Sequence, residues 1–282
     1  MDDGGRTPAH LNFEGKTVSQ PPPIRTFQVD RSDVEIYSSK AEVGRAGALR
    51  ASAILRDAIA KQGRARLIMA TGNSQEDLVS TLVQDRTIDW SRLELFHMDE
   101  YVGLPVTHRG CLRHWIITHF VDVVHPGKVE FLDGNAADLA REARRYEKLL
   151  QEAPLTLCTM GFGENGHIAF NDPHVANFQD PVNIKVVELD EPCRRQQAGE
   201  GHFPNFESVP RSAITLTCPM LMSVQNLICS VPELRKAEAV KNALEGPVST
   251  KCPGSIVRTH PQAYIYLDVN SASLLKEESI CH

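Results

Sequence analysis

The hydrophobic positions of this 282-residue chain follow two alternating periodicities. Apolar residues at Ala48, Ala51, Leu55 and Ile59 recur every three or four positions, a spacing that predicts one face of a helix. A short, continuous apolar run at residues 67–70 follows, as is typical of a buried strand. Similar helical patterns occur at residues 111–121, 139–150 and 234–244, and strand patterns at residues 93–98, 155–160, 184–189, 213–217, 226–231 and 263–267.

This alternation predicts the fold class. Strands that alternate with helices form a mostly parallel sheet with helices on both faces, so we expect an α/β protein. Residues 1–25 lack an amphipathic period and contain Pro21, Pro22 and Pro23, and we interpret them as a polar N-terminal tail. No repeat or low-complexity linker divides the remainder, so we predict one domain over residues 26–282.

Composition excludes several classes of protein. The net charge of -6 and the absence of a Lys/Arg cluster argue against a nucleic-acid partner. The seven cysteines lack the close pairs of a zinc site, and we predict free thiols and no metal. No apolar run approaches the roughly 18 residues of a membrane span, and the N-terminus does not resemble a secretion signal. We therefore expect a cytoplasmic protein without a membrane partner.

Polar residues follow the first predicted strand, at the edge where open α/β sheets bind ligands. Thr71, Gly72, Asn73 and Ser74 precede a helical pattern, and Ser74 and Asp77 have the spacing of a capping box. Glycine lets the backbone approach a ligand, and free N–H groups at a helix start suit a phosphate. An ordinary capped turn and a phosphate-binding loop explain this segment equally well.

Two adjacent carboxylates, Asp99 and Glu100, follow the next strand. A carboxylate that is partly withdrawn from water gains basicity and can take a proton from a carbon beside a carbonyl. A solvated acidic turn is the alternative interpretation of the pair.

The densest segment is residues 161–173, Gly-Phe-Gly-Glu-Asn-Gly-His-Ile-Ala-Phe-Asn-Asp-Pro. Its glycines fit the G-x-G-x-x-G turn of dinucleotide-binding proteins, but Pro173 ends the segment before the long helix that this turn requires. The alternative is a tight loop that presents His167 and Asp172. Histidine titrates near neutral pH, which suits it to move a proton to a sugar ring oxygen.

Basic residues near the last strands are ambiguous by themselves. Lys236 follows a strand and could reach a phosphate, while Arg194 and Arg195 form a second basic pair; each also fits a solvated charge. The chain lacks the motifs of zinc proteases, serine hydrolases and P-loop enzymes. An anion site with acid/base side chains remains, which favours proton transfer on a small phosphorylated substrate.

Three segments together resemble the glucosamine-6-phosphate deaminase family. They are residues 96–105, which contain Met-Asp-Glu-Tyr-Val-Gly-Leu-Pro, residues 161–173, and residues 235–246 with Lys-Ala and Glu-Gly in register. The resemblance runs from about residue 45 to residue 267 and implies a Rossmann-like sheet. It assigns the role of base to Asp99, ring opening to His167 and the supporting carboxylate to Asp172.

The resemblance also implies that Thr71, Gly72, Asn73, Ser74 and Lys236 hold a phosphate. Asn165 takes a place often held by Asp, and Asp172 takes the place of the common Glu. Residues 193–197, Cys-Arg-Arg-Gln-Gln, replace the family's Ala-Asn-Ser-Arg-Phe. We therefore predict Asp99, Asn165, His167 and Asp172 as catalytic residues. The predicted substrate-binding residues are Thr71, Gly72, Asn73, Ser74, Glu100, Arg195 and Lys236.

The implied activity is isomerisation and deamination of glucosamine 6-phosphate to fructose 6-phosphate and ammonia, without a cofactor or a metal. The expected partner is this small sugar phosphate, and the resemblance is compatible with a homo-oligomer. The alternatives are a 6-phosphogluconolactonase-like hydrolase, whose loop also ends in Gly-His, and a sugar-phosphate sensor that has lost catalysis.

Overall fold

The computed structural model describes residues 10–13 and 16–276. Its central feature is an eight-stranded sheet in the order β3-β4-β13-β12-β9-β5-β6-β8. Neighbouring strands are parallel except for β3 and β4, which are antiparallel. The predicted α/β class with a mostly parallel sheet is therefore confirmed. The strands of this sheet are β3 (Arg25–Val29), β4 (Ser32–Tyr37), β5 (Ala65–Met69), β6 (Leu93–His97), β8 (Lys128–Glu130), β9 (Leu157–Met160), β12 (Leu227–Val231) and β13 (Ala263–Asp268).

Helices cover both faces of the sheet. In β5, Leu67 and Met69 belong to one apolar cluster, and the intervening Ile68 belongs to the cluster on the opposite face. Both faces are thus buried, which is why residues 67–69 read as a continuous apolar run without polar alternation. The helices are α1 (Lys40–Gln62), α2 (Glu76–Leu82), α3 (Leu112–Ile116), α4 (Asp122–Val124), α5 (Leu139–Gln151), α6 (Glu191–Gly199), α7 (Cys218–Met222) and α8 (Ala237–Glu245).

The cluster containing Leu67 includes residues of α1, α2 and α3, and the cluster containing Ile68 includes residues of α5, α7 and α8. The helix predicted over residues 111–121 is interrupted, because a π-helical turn, Ile117–Val121, joins α3 to α4. No helix in the described ranges is both long and apolar enough to cross a membrane.

Three strands leave the parallel sheet and form a small antiparallel one. They are β7 (Asp99–Tyr101), β10 (Ile184–Glu188) and β11 (Ser212–Leu216), in the order β10-β11-β7. The sequence predicted strands at residues 184–189 and 213–217 but did not predict that they would form a separate sheet. Strand β7 follows β6 after the single residue Met98, whose carbonyl accepts a hydrogen bond of 2.8 Å from Leu216 N–H. This junction carries residue 99 away from the large sheet.

The N-terminal segment differs in detail from an extended tail. Strands β1 (His10–Phe13) and β2 (Lys16–Ser19) pair with each other in an antiparallel arrangement. Ile24 N–H donates to Ile36 O at 2.7 Å, so hydrogen bonding to the large sheet begins two residues before residue 26, where the domain was predicted to start. The division into a tail at residues 1–25 and one domain at residues 26–282 stays a prediction.

Arg66 is a buried charge near the start of strand β5. Its side chain is 1% exposed, its Nε donates to Glu94 Oε2 at 2.5 Å, and one terminal nitrogen donates to Leu150 O at 2.9 Å near the end of α5. The guanidinium thus neutralises a buried carboxylate and satisfies a helix carbonyl that lacks an intrahelical partner.

We expect Arg66→Met to lower the free energy of unfolding by about 1–3 kcal/mol, because it leaves the buried carbonyl of Leu150 without this donor and leaves Glu94 with Lys128, at 2.7 Å, as its cation. Urea denaturation measures this change. Arg92→Met is the control, since the exposed Arg92–Asp89 pair should contribute about 0–1 kcal/mol. A loss at Arg66 as small as that at Arg92 would contradict a structural role for the buried pair.

Candidate active site

A cavity opens at the carboxyl ends of β5, β6, β9 and β12. Its base is formed by the residues that follow these strands, and its cover consists of residues from α6 and the loop after it. The lining includes Thr71, Gly72, Asn73, Ser74, Asp99, Arg109, His167, Gln196, Gln197, Glu200, His202, Phe203, Arg235 and Lys236. The strand order therefore brings together residues that are more than 160 positions apart in the sequence.

Asp99 contributes a carboxylate to this cavity from the first position of β7. The residue is 8% exposed, and its backbone pairs with Thr215 of β11. Burial, with a further contribution from the negative charge of Glu100, raises the pKa of Asp99 to about 8. A carboxylate with a pKa near neutrality is a strong enough base to remove a proton from carbon.

The glycine-rich loop presents His167 to the same cavity. A Cβ atom on Gly163 would lie only 2.2–2.4 Å from three atoms of the His167 ring, so the ring packs directly on the glycine backbone. Gly166 has a φ of +82°, which glycine adopts without steric cost. Glycine is therefore required at position 163, where a side chain would collide with the His167 ring, and is favoured at position 166 by the positive φ. The structure does not show the long helix of a dinucleotide-binding turn after Gly166.

Asp172 and Asn165 fix the orientation of this loop. His167 Nδ1 lies 2.9 Å from Asp172 Oδ1, which also accepts a hydrogen bond of 2.8 Å from Asn165 Nδ2. Asn165 Oδ1 in turn accepts from the His167 backbone N–H at 3.0 Å. Asn165 thus acts on the backbone and on the carboxylate, and Asp172 is the group that contacts the imidazole ring.

Asp172 remains ionised although it is fully buried. Burial alone would raise its pKa, but hydrogen bonds from His167, Asn165 and Cys193 outweigh burial and lower the pKa to about 2. The side-chain donor atoms of His167, Asp172 and Cys193 lie within 4.8 Å of one another, a spacing that would also suit a metal ion. Burial and the charge of Asp172 raise the pKa of the Cys193 thiol, so the protonated thiol can donate a hydrogen bond to Asp172.

The loop after β5 lines another part of the cavity. Gly72 has a φ of +89°, and within the described ranges the backbone N–H groups of Asn73 and Ser74 have no hydrogen-bond partner. The predicted capping box is wrong, because α2 begins at Glu76 and Gln75 occupies the N-cap. Gln75 is buried and donates to Met160 O and to Ser74 Oγ, both at 3.1 Å, so it ties this loop to β9.

Lys236 is a buried cation in the cavity. It is 5% exposed, and no ion pair involves its ammonium group in the part of the chain that the structure describes. Burial lowers the pKa of Lys236; the charge of Glu200 opposes this effect, and the charge of Arg235 adds to it. A buried ammonium without a counter-ion is electrostatically unfavourable, so the site is suited to an anionic ligand.

The structure does not bring two of the predicted binding residues, Glu100 and Arg195, to the cavity. Glu100 is 2% exposed, and its carboxylate accepts hydrogen bonds from the backbone N–H groups of Leu112 and Arg113 at 3.2 and 2.8 Å. It therefore supports the start of α3. Arg195 is exposed, is paired with Glu191 on its own helix, and lines a second groove.

Sequence reasoning missed several lining residues, among them Arg109, Gln196, Gln197 and Glu200. The two glutamines lie in the segment that departs from the pattern of the resembling family, and this departure was the available signal. Arg109 and Glu200 carry no local motif, because only the folded chain places the loop after β7 and the end of α6 over the strand ends.

The buried Asp99 carboxylate, the oriented His167 and the Lys236 ammonium, which has no ion pair within the described residues, line one cavity, an arrangement suited to acid–base chemistry on a small anion. The family model described as glucosamine-6-phosphate isomerases/6-phosphogluconolactonase matches residues 38–265. The chain belongs to this family.

Individual relatives agree with the family assignment. A protein named glucosamine-6-phosphate deaminase from Bacillus cereus (strain B4264) is 34% identical over 209 residues, which cover 74% of this chain and 78% of the relative. A protein of the same name from Exiguobacterium sibiricum is 33% identical over 213 residues, which cover 75% and 81% of the two chains.

Solved structures share the fold. A monomeric glucosamine-6-phosphate deaminase superposes with a TM-score of 0.79 at 28% identity, covering 86% of this chain and 99% of that one. The 6-phosphogluconolactonase from Trypanosoma brucei superposes with a TM-score of 0.71 at 16% identity, covering 86% and 98%, and this likeness shows the fold alone.

We expect Asp99→Asn to stabilise the folded protein at pH 8 and to have little effect at pH 4. Between about pH 4 and pH 8 the carboxyl is ionised in the unfolded chain but retains its proton in the folded one. The folded state then binds more protons, so its stability falls as the pH rises through this window. The substitution should recover on the order of 5 kcal/mol at pH 8.

Urea denaturation at both pH values measures this effect. Asp122→Asn, at an exposed position of α4, is the matched control and should change stability equally at pH 4 and pH 8. An Asp99→Asn effect that is independent of pH would mean that the Asp99 carboxyl ionises as in water.

Proposed function

We propose that this protein converts glucosamine 6-phosphate and water into fructose 6-phosphate and ammonia. The observation that carries the proposal is the joint presence of Asp99, the His167–Asp172 pair and Lys236 in one cavity. The relatives named as deaminases support the choice of substrate. The reaction needs no external oxidant, because C1 of the sugar is reduced as C2 is oxidised.

The chemistry begins with opening of the pyranose ring. His167 delivers a proton to the ring oxygen as the bond between C1 and that oxygen breaks, and the neutral imidazole then takes the proton of the C1 hydroxyl as the aldehyde forms. Asp172 holds the imidazole through Nδ1, which leaves Nε2 for the sugar. A buried, ionised Asp172 also stabilises the imidazolium that forms when His167 takes up a proton.

Asp99 then moves a proton between two carbons. Its carboxylate takes the C2 proton while the His167 imidazolium gives a proton to the C1 carbonyl oxygen, which forms an enol amine. The Asp99 carboxyl then returns its proton to C1, which leaves an iminium at C2. Water adds to C2, and ammonia leaves to give the ketose. The base must be ionised to act, so kcat/KM should rise with pH up to about 8, the pKa of Asp99.

The phosphate is bound by Lys236 and by the loop from Thr71 to Ser74. The free N–H groups of Asn73 and Ser74 provide directed donors, and Lys236 provides a charge that lacks a counter-ion. An anion at this position removes the electrostatic cost of burying Lys236. Asn165 acts through the loop backbone and through Asp172 and is a positioning residue.

Hydrolysis of 6-phosphogluconolactone is a second candidate. The His167–Asp172 pair favours it, because an oriented imidazole can also take a proton from a water molecule that attacks a lactone carbonyl. Lactone hydrolysis does not require a second base at the position of Asp99. The buried Asp99 therefore favours the deaminase over the lactonase.

Six cysteines are buried and free, namely Cys111, Cys158, Cys193, Cys218, Cys229 and Cys252. Free thiols in these numbers suit a reducing compartment, and we propose a cytoplasmic location on this basis.

The wild-type protein is expected to release ammonia and fructose 6-phosphate in equal amounts from glucosamine 6-phosphate. Asp99→Asn should lower the rate about 10²–10⁴-fold, because the amide cannot accept the C2 proton. Coupled assays of both products measure the rates, with galactosamine 6-phosphate and 6-phosphogluconolactone as parallel substrates.

Asp122→Asn should retain the wild-type rate. Lactone hydrolysis without ammonia release from either amino sugar phosphate would replace the deaminase with the lactonase. Binding of the sugar phosphates without turnover of any of the three substrates would identify a sensor.

Lys236→Ala should raise KM for the phosphorylated substrate by at least tenfold, since it removes the cation that meets the dianion. Steady-state kinetics with glucosamine 6-phosphate and with unphosphorylated glucosamine measure the effect. Lys148→Ala, at an exposed position of α5, is the control. Equal turnover of the two sugars by the wild type would show that Lys236 does not bind a phosphate.

A further inference from the structure

The backbone at Glu233 has a conformation that is normally restricted to glycine. Its φ is +84° and its ψ is 142°. In the described part of the chain, Asp30, His125 and Ala169 also have positive φ, but their values of 50–51° lie in the left-handed helical region that other residues adopt at times. The combination at Glu233 lies outside that region, and strain of this kind is found mainly at functional sites.

Interactions on both sides of the residue hold this conformation. The backbone N–H of Glu233 donates to Oδ1 of the buried Asp268 at 3.1 Å. The carboxylate bridges two cations: Oε1 lies 3.0 Å from Lys40 Nζ, and Oε2 accepts from Arg235 Nε at 2.6 Å. Partial burial opposes ionisation, but these cations outweigh it and lower the pKa of Glu233. A glycine at this position would avoid the strain but could not form the bridge.

The bridge orients Arg235 towards two other parts of the site. While Arg235 Nε binds Glu233, Arg235 Nη1 lies 3.2 Å from Glu164 Oε1 and 3.3 Å from Glu200 Oε1. Glu164 belongs to the loop that carries His167, and Glu200 is the C-cap of α6. One guanidinium thus connects the strand exit that carries Lys236 with the histidine loop and with the cover of the cavity.

The cover segment, defined here as residues 191–203, is anchored near its two ends by the buried Cys193 and Phe203, which belong to an apolar cluster with Tyr101. Polar contacts hold its middle and its end. Gln196 Oε1 accepts from Glu164 N–H at 3.0 Å, Tyr101 donates to Gln197 Oε1 at 2.8 Å, and Arg109 donates to the carbonyl of His202 at 3.0 Å. Among the described residues, Glu200–Arg235 is the ion pair that joins the cover segment to the rest of the chain. Its geometry depends on how Glu233 holds Arg235.

We propose that Glu233 is a positioning residue, held in a strained conformation because its carboxylate aims Arg235 at Glu164 and Glu200 and so keeps the cover segment closed over the cavity. Closure brings Gln196, Gln197 and Glu200 to the cavity wall, where they can contact a ligand. The kinetic part of this inference rests on the proposed function, whereas the structural part does not.

Hydrogen–deuterium exchange of residues 191–203 tests the structural part. Glu233→Gly removes both strain and carboxylate, and Glu233→Gln keeps the side-chain length and a hydrogen-bond acceptor but removes the charge. We expect exchange in the cover segment to be at least fivefold faster in Glu233→Gly and at least twofold faster in Glu233→Gln. His125→Gly is the control, because it changes an exposed residue of positive φ that lies outside the cavity lining. It should leave the exchange rate of the cover segment unchanged.

Glu200→Gln removes the cover segment's own charge from the Glu200–Arg235 ion pair. It should increase the exchange rate of the cover segment about as much as Glu233→Gly does. Exchange at the wild-type rate in Glu233→Gly or in Glu200→Gln would overturn the proposal. Faster exchange in Glu233→Gly with no change in Glu233→Gln would also overturn it, because backbone flexibility rather than the carboxylate would then be responsible.

Kinetics separate this inference from the proposed function. Glu233→Gly and Glu233→Gln should raise KM for glucosamine 6-phosphate at least fivefold, with a smaller change in kcat, since a loosened cover weakens binding more than proton transfer. An unchanged KM would overturn the link between the cover segment and the substrate. A wild type that does not turn over the sugar phosphate would refute the proposed function, and the exchange result would still decide the role of Glu233.

Discussion

Burial of both faces of the large sheet is the constraint on which the rest of the structure depends. Because helices cover each face, most side chains of the central strands are apolar, and the polar groups that line the cavity lie at the strand ends. The order of the strands then decides which ends are neighbours. β5 lies between β6 and β9, and β12 follows β9, so the exits of these four strands converge on one cavity.

This arrangement concentrates groups that are individually costly to bury. Asp99 is held in a site that favours its neutral form, Lys236 is held without a counter-ion, and Glu233 is held in a strained backbone conformation. Such features reduce stability and are retained where they serve binding or catalysis. The pairs at Arg66–Glu94 and His167–Asp172 differ from these, because each buried charge there has a close partner.

The elements that were predicted well are those whose signals are local. Residues 67–70, 93–98 and 155–160 gave β5, β6 and β9, because most positions of a strand buried on both faces are apolar, with Glu94, His97 and Thr159 as buried polar exceptions. The glycines of residues 161–173 pointed to a tight loop around His167, and the packing of its ring on Gly163 is the physical reason. The resemblance then supplied roles that spacing alone left open.

The predictions that differed from the structure depended on distant contacts. The Ser74–Asp77 capping box was expected from spacing, but Gln75 occupies the N-cap without a side-chain capping bond, and its amide group binds Met160 of β9 instead. Glu100 was expected beside the substrate, but the N–H groups at the start of α3 draw its carboxylate inward. Arg195 pairs with Glu191 on the outside of α6, and the cavity receives Arg109 and Arg235 instead. These contacts join residues that are distant in the sequence or depend on the folded surroundings, so local sequence patterns do not predict them.

The short strand β11 gives the site a mechanical frame of its own. Leu216 N–H holds Met98 at the start of the segment with Asp99, Leu216 O accepts from the Asn171 side chain at 2.8 Å, and Thr215 Oγ1 accepts from Phe170 N–H at 3.1 Å. The two halves of the acid–base pair are therefore clamped to adjacent residues of one strand. We therefore expect a displacement of β11 to move Asp99 and the segment that follows His167 in the same direction.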